Sequence, residues 1–234
     1  MPDDRLIRIL SRLVATDGEA TQLCVVCAEV THMSGAGIML LHGDSPRGSV
    51  CTTDDVSNLI EELQYTLGEG PCIDAHRQHT PIAEPDLAHP TTVRWAEFAR
   101  SAVDAGARAV FGFPVAVGDV HLGALNLYRD RPGPLTAEQY ADALVVADVA
   151  ARAIITMQAA AEPGELAPEL EASGNFRFVV HQAAGMVSVQ LGVPIAEALI
   201  RLRARAFSTG RSVSDVADDV VARRFRFNGA DDDE

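Results

Sequence analysis

The sequence predicts an α+β domain with an antiparallel sheet, followed by a small all-helical module. Apolar residues recur at helical spacing in residues 3–16, and short β-rich runs occur further along the chain. Between two of these runs, Gly118-Asp119 is typical of a tight hairpin turn. Beyond Pro163 the pattern is helical only. Helices, strands, helices, a strand hairpin and a long helix in this order indicate the α+β class for the first part.

The individual elements have recognisable starts and ends. Thr136 and Gln139 have the spacing of a capping box, which predicts the start of the long helix. Pro194 and Ser212 suit helix starts, and Gly192 and Gly210 suit helix ends. The predicted helices are 3–16, 19–32, 56–64, 92–105, 136–160, 171–191, 194–209 and 212–225, and the predicted strands are 36–41, 49–53, 82–83, 107–117 and 120–128.

The clearest domain boundary is Glu162-Pro163-Gly164, which interrupts the long helix. We therefore divide the chain into four segments. They are a domain at 1–160 that ends in a long connecting helix, a linker at 161–170, a helical module at 171–228 and an acidic tail at 229–234.

Charge is distributed unevenly along the chain. The net charge is −14, which as a global number argues against a nucleic-acid partner. Every positive charge is an arginine, and residues 172–227 hold eight arginines against four acidic residues. This segment has a local charge of +4, between acidic segments on both sides. A basic helical module inside an acidic protein favours an anionic partner for that module.

Small and apolar residues of the module occur in a specific order. They are His181-Gln182-Ala183-Ala184-Gly185-Met186-Val187, Leu191-Gly192-Val193, Glu197-Ala198-Leu199, Leu202-Arg203, Ala206, Gly210-Arg211 and Asp215-Val216-Ala217. This order resembles the ANTAR family, whose members bind paired hairpin loops of leader transcripts and prevent transcription termination. The resemblance implies an RNA-binding antiterminator module. Family members usually carry a lysine where this chain has Ala184, so the loss of a phosphate contact predicts weaker RNA binding. Because the basic charge is local within a strongly acidic protein, we expect a modest, salt-sensitive RNA affinity.

Three small residues and six arginines are the candidate RNA-binding residues. A glycine in mid-helix costs about 0.5–1 kcal/mol relative to alanine, so either a neighbouring helix or RNA is expected to approach closely there. A single arginine often lies on a solvated helix face, but the local excess of arginine favours phosphates and unpaired bases. Phe225 and Phe227 could stack on bases, whereas Phe207 is expected in the core. The candidates are Ala183, Ala184, Gly185, Arg201, Arg203, Arg205, Arg211, Arg223 and Arg224.

A second set of motifs lies within residues 5–158. It comprises Gln64-Tyr65-Thr66-Leu67-Gly68-Glu69-Gly70-Pro71-Cys72, Arg94-Trp95-Ala96-Glu97-Phe98, Gly106-Ala107-Arg108-Ala109 and Leu122-Gly123-Ala124-Leu125-Asn126-Leu127-Tyr128. These motifs resemble the GAF family in its actinobacterial, antiterminator-linked form. The resemblance implies a small-molecule sensor with a six-stranded antiparallel sheet backed by helices. GAF ligands include cyclic nucleotides, haem and tetrapyrroles, but no cofactor or ligand is identified for this chain.

Candidate ligand contacts are Cys72, His76 and Trp95, and Trp95 is expected to pack as core. Cys72, Asp74, His76 and His79 lie within eight residues, which leaves two interpretations open. They could ligate a metal or haem, or they could belong to an ordinary loop and helix start, which is the favoured interpretation.

The N-terminal residues lack a secretory pattern, and the most apolar run, residues 144–155, is interrupted by charges. We therefore expect a cytoplasmic protein without a membrane span.

In that reducing compartment the four cysteines are expected to be free thiols. Cys24 and Cys27 have the spacing of half a zinc site, but no second cysteine pair follows. We therefore expect both to be buried structural thiols.

No catalytic motif emerges from the sequence, which favours a regulator over an enzyme. The leading hypothesis is a homodimeric transcription regulator in which a GAF sensor controls an RNA-binding ANTAR module. The alternative is a small-molecule-sensing or protein-interaction adaptor whose module has lost strong RNA binding. A third hypothesis is a methionine-sulfoxide-reducing enzyme that uses Cys51 or Cys72.

Overall fold

The structure is a computed structural model of the chain, which divides into two compact units, 1–173 and 174–234. It describes residues 2–14, 20–43, 45–90, 94–159, 167 and 175–228. The predicted linker, apart from Ala167, and the predicted acidic tail therefore lie outside the described residues.

The described part of the first unit contains six helices and one antiparallel sheet of five strands. In chain order the elements are α1 (Pro2–Val14), α2 (Ala20–Thr31), β1 (Gly35–His42), β2 (Ser45–Thr52), α3 (Asp55–Leu67), α4 (Pro71–Gln78), β3 (Ile82–Glu84), α5 (Ala96–Asp104), β4 (Ala109–Val117), β5 (Val120–Arg129) and α6 (Ala137–Ala159). The strand order is β2-β1-β5-β4-β3, so β2 and β3 are the edge strands and β5 is central.

The sheet has two covered faces because successive residues of a strand point to opposite sides. One face carries large apolar side chains such as Ile38, Phe111 and Leu125, and these form the main core with α1, α2 and α6. The other face, which includes Gly37, Gly112 and Asn126, packs against α3 and α4. This second layer holds most of the buried polar side chains of the unit.

Side-chain caps define several of the helix ends. The Asp54 carboxylate accepts a hydrogen bond from the Ser57 amide at 2.7 Å, and the Ser57 hydroxyl accepts from the Asp54 amide at 2.9 Å. The predicted capping box of α6 is confirmed, with reciprocal bonds of 3.1 Å between Thr136 and Gln139. Gly68 ends α3 in a left-handed conformation (φ 66°), which a glycine adopts without strain.

The second unit contains three described helices, α7 (Asn175–Leu191), α8 (Ile195–Thr209) and α9 (Val213–Val221). Each helix contacts the other two, around a core of small and branched side chains. These are Val180, Ala183, Ala184, Val187, Ala198, Leu202, Ala206, Val213, Val216, Ala217 and Val220. The Ser212 hydroxyl accepts a hydrogen bond from the Asp215 amide at 3.0 Å and caps α9, as the sequence predicts.

The prediction of four free thiols is wrong for two of them. Cys24 on α2 and Cys51 on β2 form a disulfide, with their Cα atoms 5.8 Å apart. The pairing is long-range, so the spacing of Cys24 and Cys27 held no information about it. Cys27 and Cys72 are free and buried.

Several predicted boundaries and one core residue also need correction. The α5 helix begins at Ala96, because Trp95 has a left-handed φ of 52°. The α9 helix ends at Val221 and not near Phe225, since Arg223 (φ 59°) turns the chain. Phe207, predicted in the core, is 53% exposed. Among the described residues the sheet has five strands where the resemblance implied six.

Candidate functional site

A groove in the second unit is lined by one side of α7 and by residues at and after the end of α9. Its cavity volume is about 680 Å³. Gly185 and Met186 of α7 line one part of it, and Arg223, Phe225 and Arg226, from the segment after α9, line another. We call this feature the α7 groove.

Gly185 lines the α7 groove and leaves space where a side chain would otherwise lie. A Cβ atom built on Gly185 would have no described atom within 4 Å outside its own helix and chain neighbours. Ala183 and Ala184, by contrast, are fully buried in the helical core. The three small residues therefore have different roles: the alanines allow helix packing, and the glycine faces the groove.

The segment after α9 folds back over α7 and brings its side chains to the groove. The amides of Arg224 and Phe225 donate to the Asp219 carbonyl at 2.7 and 3.1 Å. The Phe227 amide donates to the Gln190 side chain at 2.9 Å, which ties the segment to α7. The rings of Phe225 and Phe227 pack edge to face at 5.0 Å. Backbone and aromatic contacts thus hold the segment in place.

The groove lining that is described contains arginines and no acidic residue. Arg223 and Arg226 both line it and are exposed. Arg205 lies beside it, with its guanidinium 4.7 Å from the centroid of the Phe225 ring. Cations next to aromatic rings can bind phosphate oxygens and stack on unpaired bases.

Other candidate arginines pair with acidic side chains of the same unit. Arg211 and Arg224 both contact the Asp219 carboxylate, at 2.8 and 2.6 Å. Hydrogen bonds from Arg224 and then Arg211 hold the pKa of Asp219 below its usual value. Arg201 pairs with Glu197 at 3.4 Å. These pairs neutralise part of the local positive charge.

The structure therefore brings together only part of the predicted RNA-binding set. Gly185 and Arg223 line the groove, and Arg205 borders it, whereas Arg203 is half-buried on α8. Arg226 lies in the groove although it is outside the predicted set. Arg226 could have been identified from the sequence, because it lies between two aromatic residues, Phe225 and Phe227.

In the first unit, α4 positions two of the three predicted ligand contacts. Cys72 is fully buried, and its amide donates to the Gln64 side chain at 2.7 Å. Burial, with the Glu61 carboxylate as a second cause, raises the pKa of the Cys72 thiol. The thiol therefore stays protonated at neutral pH, which is unfavourable for a nucleophile.

A buried amide lies beneath α3 and α4, next to this cysteine. Asn126 is fully buried on β5, opposite Gly37 on β1 and Gly112 on β4. Its side-chain amide has no hydrogen-bond partner among the described residues. The glycines allow the Glu61 side chain and the Pro71 backbone to approach the sheet on either side of it. This face of the sheet is thus closely covered.

His76 belongs to a cluster of three histidines. The rings of His79 and His121 stack at 3.7 Å, and both lie 6.3 Å from the ring of His76. Burial is the main cause that lowers the pKa of His76, and the two neighbouring histidines lower it further. His121 comes from β5, so sequence proximity could not reveal its part in the cluster. No group of His, Cys, Asp and Glu side chains suited to a metal ion occurs in the described parts of the chain.

Trp95 is largely buried, as predicted for a core residue, and its indole N–H donates to the Asp74 carboxylate at 3.0 Å. The Arg94 guanidinium lies 4.5 Å from the centroid of its ring. Trp95 thus contacts the same helix, α4, that carries Cys72 and His76.

The family profile of the GAF domain matches residues 6–154. The chain belongs to the GAF domain family. Its first unit is accordingly a GAF domain of the α+β type, with the ligand candidates on the α3–α4 side of the sheet. The match ends within α6, so α7, α8 and α9 lie outside the GAF domain.

Several solved structures are similar to this chain at low sequence identity. The GAF domain of a phosphoenolpyruvate-protein phosphotransferase from Coxiella burnetii is 16% identical, with a TM-score of 0.50 over 68% of this chain and 95% of its own. That of the Acinetobacter phosphoenolpyruvate-protein phosphotransferase is 12% identical, with a TM-score of 0.49 over 68% and 96%. The type II free methionine-R-sulfoxide reductase from Thermoplasma acidophilum is 16% identical, with a TM-score of 0.43 over 57% and 91%. No curated protein matches this chain.

None of the helices described for this GAF protein is both long and apolar enough to span a bilayer.

Proposed function

We propose that this protein is a cytoplasmic regulator of transcription in which the GAF domain acts as sensor and the second unit binds hairpin-loop RNA and promotes antitermination. The observation that best supports RNA binding is the position of Gly185. A mid-helix glycine weakens α7, yet no described side chain uses the space that it leaves. The glycine is explained if a binding partner from outside the unit approaches the backbone of α7 closely at this position.

The chemistry of the α7 groove favours RNA as that partner. Arg223 and Arg226 supply positive charge, and Phe225 supplies an aromatic face. Single-stranded loops are recognised through such combinations, since unpaired bases stack on aromatic rings while arginines bind phosphates. Ala184, where the ANTAR family usually carries lysine, is fully buried here. In this proposal the groove arginines supply the positive charge that a lysine at that position would otherwise supply.

The test is a filter-binding titration of the full chain against transcripts with paired hairpin loops, repeated across salt. Arg223→Ala with Arg226→Ala should weaken binding of all such transcripts and flatten the salt slope by about 0.7 for each phosphate that is no longer neutralised. Gly185→Ala should weaken binding about tenfold (a loss of about 1.4 kcal/mol) while it stabilises α7 by about 0.5–1 kcal/mol. Arg201→Ala is the matched control, because Arg201 pairs with Glu197 and is not among the groove residues.

Two outcomes would contradict the proposal. The first is that the wild-type chain binds no hairpin RNA at low salt. The second is that Arg201→Ala weakens binding as much as the double groove variant, since the α7 groove would then not be the binding surface.

A protein-interaction adaptor is the second candidate, and one observation favours it. Ile200 and Phe207 on α8 are 61% and 53% exposed, and their spacing puts them on one face of the helix. Exposed apolar patches often mark protein contacts. Failure of RNA binding, together with loss of self-association or of a protein complex in Ile200→Asp and Phe207→Asp variants, would favour the adaptor.

We also propose that the regulator acts as a homodimer. Leu144 and Ile155 on α6 are 44% and 39% exposed and share one helix face with Tyr140. Two linked modules would bind two hairpins with avidity. Sedimentation of the RNA-binding samples, with Leu144→Glu and Ile155→Glu as the disrupting variant, checks this assembly.

A further inference from the structure

The disulfide of the GAF domain joins a packed helix to an edge strand of the sheet. Cys24 lies on α2, which packs against β1, β2 and α6. Cys51 lies on β2, which is an edge strand of the sheet as described and pairs there with β1. Edge strands have unpaired backbone groups on one side and open more readily than central strands.

The β2 strand is also irregular. Its pairing with β1 shifts register between Ile38 and Met39 and again between Leu40 and Leu41. Pro46 cannot donate a ladder hydrogen bond, and Gly48 has a φ of 126° that few other residues adopt. These features favour local opening of β2, by which a small reagent would reach the sulfur atoms of the buried cysteines.

The surroundings of the disulfide also suit two free thiols. Cys24, Cys51 and the free thiol Cys27 belong to the same apolar cluster, with Val50 beside them. A free cysteine behaves as a small apolar residue when buried, and Cys27, one turn from Cys24, already does so. Reduction would leave two such thiols in the core and would free β2 from α2.

The helix that carries Cys24 also packs against α6, the helix in which the GAF match ends. The Thr31 carbonyl at the end of α2 accepts a hydrogen bond from the Gln139 side chain of α6 at 3.2 Å. The helix that carries Cys24 thus contacts both β2 and α6.

We propose that Cys24 and Cys51 form a thiol–disulfide exchange site that takes small dithiols as reductant and small disulfides as oxidant. A thiolate of the dithiol attacks one sulfur, and the Cys24–Cys51 bond breaks to give a mixed disulfide and one cysteine thiol. The second thiol of the reagent then displaces the other cysteine. Two cysteine thiols and one oxidised reagent result, and a disulfide reagent reverses the reaction by the same steps. This inference rests on the cytoplasmic location in the proposed function. There, the ratio of disulfide to thiol form would report the redox poise of the cytoplasm.

The test is thiol labelling of the folded full chain after equilibration in dithiothreitol buffers of graded redox ratio. Samples are quenched in acid, unfolded and treated with a maleimide that shifts their mobility. The oxidised chain should take two labels, at Cys27 and Cys72, and the reduced chain four, with reoxidation restoring two. Reduction should also lower the melting temperature, followed by Trp95 fluorescence, by about 5–10 °C.

Variants make the assignment specific. Cys24→Ser and Cys51→Ser should abolish the redox transition, whereas Cys27→Ser, on the same helix, should keep the transition with one label fewer. Reduction that occurs only in denaturant would overturn the proposal, as would four labels under oxidising conditions. Labelling does not involve RNA, so failure here is distinct from failure of RNA binding.

Discussion

In the GAF domain the side chains that could meet a ligand are buried under α3 and α4, whereas in the second unit the candidate surface is open. Asn126 and Cys72 are fully buried. Gly185 and Arg223, by contrast, border a groove of about 680 Å³. Under the proposed function, a ligand of the first unit would have to pass the cover of α3 and α4, whereas RNA would meet a groove that is already open.

Glycine has opposite roles in the two units, which gives the largest predicted effect. A methyl group at Gly123 on β5 would overlap the Met39 carbonyl oxygen of the neighbouring strand, and backbone cannot move away cheaply. Gly123→Ala should therefore lower the free energy of unfolding of the GAF domain by about 3 kcal/mol. Urea unfolding followed by Trp95 fluorescence measures it, because Trp95 is the single tryptophan of the chain.

The matched variant is Gly185→Ala, which should stabilise the second unit by about 0.5–1 kcal/mol. Far-UV circular dichroism of the same unfolding samples follows that unit. If both substitutions destabilise their units equally, the distinction between a closely covered sheet and an open helix face is wrong.

Helix capping provides the second comparison. Asp54 caps α3 through Ser57 and also accepts a hydrogen bond from the Tyr128 hydroxyl at 2.8 Å. Ser212 has a single role, as the cap of α9. Asp54→Ala should thus lower the free energy of unfolding of the GAF domain by about 2 kcal/mol. Ser212→Ala should lower that of the second unit by about 1 kcal/mol. Chemical denaturation checks both values. A larger loss of stability for Ser212→Ala would argue that the hydrogen bond from Tyr128 to Asp54 does not stabilise the GAF domain.

The smallest predicted effect is the pH dependence that His76 gives to the stability of the GAF domain. Burial lowers the pKa of His76 in the folded state, whereas the unfolded residue titrates near its ordinary value of about 6.5. Below that pH the unfolded chain binds more protons than the folded one, so stability falls as pH decreases and is regained as pH rises.

Melting followed by Trp95 fluorescence across the acidic range measures this dependence. His76→Gln should reduce the slope, while His181→Gln, at an exposed residue of the second unit, should leave it unchanged. An unaltered slope in His76→Gln would assign the acid sensitivity to other groups.

Most helices and strands were predictable because their signals are local. The spacing of apolar residues located α2 and α6, Gly118-Asp119 located the β4–β5 hairpin, and Thr136 with Gln139 located the start of α6. The α5 boundary was misplaced because the backbone of Trp95 is left-handed, which nothing in its neighbours indicates.

The candidate sites were predictable only in part. Composition located the basic module and its small residues, but not which side of α7 each small residue faces. Nor could composition show that Asp219 would pair with Arg211 and Arg224 while Arg223 and Arg226 line the groove.

The sequence by itself determined the class of the first domain, the helical nature of the second and the basic charge between two acidic segments, because spacing, caps and charge are properties of neighbouring residues. Only the tertiary structure decided that Cys24 forms a disulfide with Cys51 and that the ring of His121 lies near that of His76. It also decided that no described atom fills the space beside Gly185 outside its own helix. Each of these depends on which residues, distant in the chain, the sheet and the helical core bring together.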